Sequence, residues 1–149
     1  MRGGTVVPAG SLRASGLWRA AVGAAIAGLG TCALAGYSWW SYRGDGPRLD
    51  GSAGVAIAIL ILTAIGAAAG AISGHFRDAL ASWAGALLGA ALAYQANYTI
   101  DPSWPRSETP FAAWVVYAAV FLLPFIAGGH LLGATIANRL QRRPTTRQT

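Results

Sequence analysis

Lysine is absent from this 149-residue chain, and acidic residues number only five. All eleven basic residues are arginine, and charged residues make up 11% of the whole, less than half the roughly 25% of an ordinary soluble domain. So few charges cannot coat a 15.3 kDa globule, which excludes a water-soluble monomer. There is one cysteine, Cys32. An intrachain disulfide, a multi-cysteine metal site and a CxxC redox pair are excluded with it. No G-x-S-x-G, HExxH or P-loop occurs, so the enzyme classes that those motifs mark are excluded and no enzymatic activity is expected.

What is present is apolar. Hydrophobic residues form 54% of the chain, and the mean hydropathy is +0.46. Four stretches are free of Asp, Glu, Lys and Arg: Ala20–Tyr42, Gly51–Phe76, Ala79–Ile100 and Thr109–Asn138, of 23, 26, 22 and 30 residues. About 20 apolar residues suffice for a helix to cross the hydrocarbon core. The runs lack the two-residue alternation of barrel strands, so helices are the expected form. The sequence predicts an all-α integral membrane protein, a compact four-helix transmembrane bundle. Its parts are a basic N-terminal tail (1–18), a membrane domain (19–138, spans about 19–42, 53–75, 79–99 and 111–138) and a basic C-terminal tail (139–149).

The net charge of +6 resides in the tails. Arg2, Arg13 and Arg19 precede the first span, and Arg139, Arg142, Arg143 and Arg147 close the chain; elsewhere four arginines face five acids. Such a distribution reads as membrane orientation, not nucleic-acid binding. With both termini in the cytoplasm, eight arginines lie inside and three (Arg43, Arg48, Arg106) outside. Trp39, Trp40, Tyr42, Tyr98, Trp104 and Trp114 would mark the outer boundary, and Trp18 and Trp83 the inner one. The Arg, Ala and Gly bias suggests a high-GC bacterial gene, and with four spans the expected location is a bacterial inner membrane. Ala33-Leu34-Ala35 before Gly36 has the layout of a signal-peptidase site. Trp39 and Trp40 extend that span to full membrane length, and its retention is expected.

Small residues recur at four-residue spacing, the pattern that lets helix backbones approach in lipid. The rows are Gly66, Gly70 and Gly74 in the second span; Gly85, Gly89 and Ala93 in the third; Gly129, Gly133 and Ala137 in the fourth; and Ala20, Ala24 and Gly28 in the first. They predict helix-packing seams. Pro124 interrupts the fourth span and is a candidate hinge.

Ionisable groups inside spans would be functional candidates, and no Asp, Glu, Lys or Arg lies inside a span here. A proton-coupled exporter of the small multidrug type and a voltage sensor are thereby excluded. His75, at the end of the second span, and His130, within the fourth, form with Asp78 a candidate polar cluster. No metal site or cofactor is predicted, because these three residues lack ligand spacing. Thr31, Ser38, Thr63, Ser73 and Ser82 are expected to hydrogen-bond back to their own helices.

The expected function is that of an accessory, assembly or interaction subunit, packed in the lipid bilayer against itself or a larger membrane complex. The alternative is a homo-oligomeric channel or transporter for a small solute or ion, with pH-sensitive histidines near the cytoplasmic side. A holin-like lytic protein is a third reading.

Overall fold

The computed structural model describes residues 9–42, 51–100 and 111–142. The segments 43–50 and 101–110, with Arg43, Arg48, Trp104, Arg106 and their acidic residues, lie outside the described residues, as do both chain ends, Arg143 and Arg147 included. The described chain is helical throughout: α1 (Ala9–Tyr42), α2 (Gly51–Ser73), a 3-10 turn (Phe76–Asp78), α3 (Ala79–Ile100), α4 (Phe111–Leu122), a π turn (Leu123–Ala127) and α5 (Gly128–Gln141). Four helices are long and apolar enough to cross a membrane, the last composed of α4, the π turn and α5. Ala and Leu favour helix, and no proline interrupts the first three spans. Helix α1 begins at Ala9, well before the apolar span, so part of the expected N-terminal tail is helical and carries Leu17 and Trp18 outward, 73% and 71% exposed.

Two seams join the helices, and both run parallel. A methyl group built on Gly85 would strike the carbonyl of Ala24, and one on Gly89 that of Gly28. Residue numbers rise together, so α1 and α3 point the same way. In the second seam Gly66 lies against Ile126, Gly70 against His130, Gly129 against Thr63 and Gly133 against Ala67. Here α2 pairs with the fourth span. Helix α1 also packs on α2, and α3 on α4 and the π turn, which closes the ring of four. The core between the seams holds Ala27, Leu62, Ala86, Ala90, Leu122 and Ile126. Outside it, Leu60, Leu88, Val116 and Val120 are exposed, a surface suited to hydrocarbon and not to water.

The π turn follows from the burial pattern of the fourth span. Ala118, Leu122, Ile126, His130 and Ala134 are all buried, a constant four-residue step. At 3.6 residues per turn such a row drifts about 40° per step around the helix. One wider turn absorbs the drift and keeps all five facing inward. Pro124 sits in that turn, where its missing N–H withdraws a donor from the turn before. The carbonyl of Ala119, five residues earlier, instead accepts the indole N–H of Trp83 at 2.9 Å. Trp83, expected at the inner headgroup boundary, is thus turned into the bundle and packs against the core.

Gly74 does not belong to a seam. It has φ +70°, and a methyl group there would meet nothing within 4 Å. Its N–H reaches the carbonyl of Gly70 at 2.9 Å, so it ends α2 in the left-handed conformation typical of a helix C-terminus. Gly74→Ala is expected to cost about 1 kcal/mol through backbone strain, readable as a lowered unfolding midpoint in mixed micelles with seam geometry unchanged.

Candidate functional site

All four spans contribute to one buried polar node. Ser73 is the last residue of α2, Ser82 stands on the first turn of α3, His130 on the first turn of α5, and each is 0% exposed. Helix α1 supplies Gly23, whose absent side chain leaves room: a methyl there would lie 3.1 Å from Ser82 Oγ and 3.8 Å from Ser73 Cβ.

The imidazole of His130 is fully engaged. Its Nε2 lies 2.9 Å from the backbone carbonyl of His75 and 3.2 Å from Ser73 Oγ. A carbonyl can only accept, so Nε2 carries a proton. Nδ1 is 2.9 Å from Ser82 Oγ and in that tautomer accepts the serine proton. Ser73 Oγ donates weakly to the carbonyl of Gly70 at 3.4 Å and receives the His75 N–H at 3.3 Å. Asn138, two turns further along α5, donates to the carbonyl of Gly74 at 3.3 Å. The two ring nitrogens thus pin the end of α2, the α2–α3 connection and the first turn of α3 to the fourth span.

In the expected cluster of His75, Asp78 and His130, the carbonyl of His75 is the shared point: the His130 ring meets it at 2.9 Å and the Asp78 N–H at 3.2 Å. His75 has left the helix, with φ −122° and ψ 127°. It offers its carbonyl to His130 while its ring stays exposed. The 3-10 turn that follows breaks the helical spacing that would have put Asp78 on the same face as His75. Among the described residues no group of three His, Cys, Asp or Glu side chains could hold a metal ion. A serine at 2.9 Å from a histidine nitrogen has the spacing of an activated nucleophile. Both groups are sealed from solvent, so no substrate atom reaches Ser82 in this conformation.

Ser73 keeps the expected bond to its own helix, to the carbonyl of Gly70, but it and Ser82 also face the seam and meet His130. The usable signal was their phase: Ser73 follows Gly66 and Gly70 by seven and three residues, and Ser82 precedes Gly85 and Gly89 by three and seven. Both intervals keep a residue on one helix face.

Beyond the node, at the end where α2 passes into α3, lies an open pocket of about 650 Å³ between Leu17 and Ala20 of α1, the connection residues His75 to Asp78, and Asn138 and Arg142 of the fourth span. On the flank of the bundle, an apolar groove of about 400 Å³ runs between α1 and α3, lined by Leu29, Cys32, Leu88 and Leu92. Compared with protein-family models, curated proteins and solved structures, the chain matches none, and its function is to be read from this geometry.

Proposed function

We propose that the chain is a small multi-pass protein of the bacterial inner membrane, with both termini cytoplasmic, that acts as an accessory or assembly subunit of a membrane complex. The observation that carries this reading is the closed node. The ionisable group at the convergence of the helices is consumed by internal hydrogen bonds, which is the economy of a scaffold. A solute pathway through one protomer would leave polar groups facing a cavity. Orientation rests on the excess of arginine at the termini and at Arg77. Binding to a partner would use the outward apolar faces, the α1/α3 groove included.

Cys32, the only cysteine, lies in that groove and offers a crosslinking handle without mutation. Isolated from its host membranes in mild detergent, the protein is expected in a complex of fixed stoichiometry with a second polypeptide, and Cys32 to crosslink to that polypeptide. A homo-oligomer that carries solute flux in liposomes, abolished by substitution of His75 or His130, would overturn the proposal in favour of a pore.

A further inference from the structure

We propose that the pocket at the α2–α3 connection binds the headgroup of an aminophospholipid, a phosphodiester bearing a primary ammonium. The pocket holds charges of both signs that are not matched to each other. Arg77 and Arg142 line it, both are exposed, and neither makes an ion pair with a described residue. Asp78 lines it as well, and its Oδ2 is shielded from solvent with no hydrogen-bond partner. A carboxylate oxygen withdrawn from water without a donor is costly; a turn of the Asp78 carboxyl toward the pocket it lines would let a ligand ammonium supply the missing donor.

The remaining walls suit a lipid. Leu17, Ala20 and Phe76 give the pocket an apolar side, and it opens at the helix ends, where the headgroups of a surrounding bilayer lie. At about 650 Å³ it falls within the size of small-molecule sites, roughly 300–1,000 Å³. Two guanidiniums match the phosphate oxygens. The carboxylate then separates headgroups: a primary ammonium donates to it, whereas a trimethylated one has no N–H to give. Asn138 fixes the floor through the carbonyl of Gly74, so the pocket is anchored to the buried node. A smaller depression on the other side of Phe76, lined by Arg139 and Arg142, extends the basic surface.

The test is native mass spectrometry of the full-length protein in mild detergent, titrated separately with dioleoylphosphatidylethanolamine and dioleoylphosphatidylcholine. The parent protein is expected to retain the ethanolamine lipid about tenfold more tightly, the value of one charge-assisted hydrogen bond. Asp78→Asn is expected to reduce that preference to below about twofold, and the double variant Arg77→Ala, Arg142→Ala to weaken retention of both lipids by about tenfold. Unfolding midpoints matching the parent exclude a folding cause for either change. Equal retention of the two lipids by the parent overturns the proposal, as does retention indifferent to the arginines. Glycerophosphoethanolamine, the headgroup without its chains, is expected to compete weakly. If it binds as tightly as the lipid, the site takes a soluble phosphodiester and the lipid assignment falls.

Discussion

Gly129→Ala is expected to destabilise the bundle by at least about 3 kcal/mol, whereas Gly128→Ala, one residue away, is expected to stabilise it by about 0.5–1 kcal/mol. At Gly129 the added methyl would collide with the carbonyl oxygen of Thr63 and crowd the backbone nitrogen of Ala67 at 3.1 Å. Backbone cannot rotate aside as a side chain can, so α2 and the fourth span must separate along the seam. Overpacking by a methylene in a soluble core costs about 1–3 kcal/mol. Loss of close backbone contact at Gly66, Gly70 and Gly133 adds to that, which places the total at or beyond the upper end. At Gly128 a methyl meets nothing within 4 Å, and only the helix propensity of alanine over glycine is felt. The measurement is equilibrium unfolding in mixed micelles for both variants. Equal effects would show that the seam is not formed.

His130→Ala is expected to cost about 3 kcal/mol, and more than any single serine substitution at the node. Two effects contribute, and their sizes differ. Interhelical hydrogen bonds in membranes average about 0.6 kcal/mol and reach about 1.7, so Ser82→Ala alone falls in that range. Removing the imidazole also empties a fully buried volume, for which core truncations cost about 2–5 kcal/mol. The cavity therefore outweighs any one hydrogen bond. His130→Gln keeps a donor for the carbonyl of His75 and most of the volume, and is expected to cost about half as much. In a double-mutant cycle, Ser82→Ala should be nearly without further effect once His130 is alanine, a coupling of about 1 kcal/mol. A Ser82→Ala cost unchanged in that background would show that Ser82 and His130 do not interact.

The four spans were legible because charge is excluded from them so sharply; composition alone locates Gly51–Ser73 and Ala79–Ile100 to within a few residues. What composition does not contain is the point where helical spacing stops. Gly74 continues a four-residue row on paper, yet it lies one residue past the end of α2, where spacing no longer implies a shared face. His75 and Asp78 fall beyond the same break. Ser73 and Ser82 were obscured for another reason. A serine in an apolar helix usually turns to its own carbonyls, as Thr63 does to Ile59 at 2.8 Å; Ser73 keeps only a long bond of that kind, 3.4 Å to Gly70, because a buried partner from another helix competes for it. His130 supplies that partner from 57 and 48 residues away, a distance across which local pattern carries no information. The π turn was similarly half visible: Pro124 marks the place, and the constant step of four in Leu122, Ile126 and His130 gives the reason.

Both glycine seams join a helix to the one after next, α1 with α3 and α2 with the fourth span, and this bears on how the protein is made. Helices α1 and α2 precede their seam partners; Gly23 and Gly30 of α1 already lie against α2, but the seam glycines of the two helices do not close on each other. Gly28 waits for Gly85 and Gly89; Gly66 and Gly70 wait for Ile126 and His130. During synthesis the first two helices therefore form with those surfaces uncovered; the α1 face is covered once α3 is made, the α2 face only once α5 follows. His130 follows Ser73 and Ser82 by 57 and 48 residues and draws together segments made before it. The two seams thus close in turn, the second with the helix that carries His130.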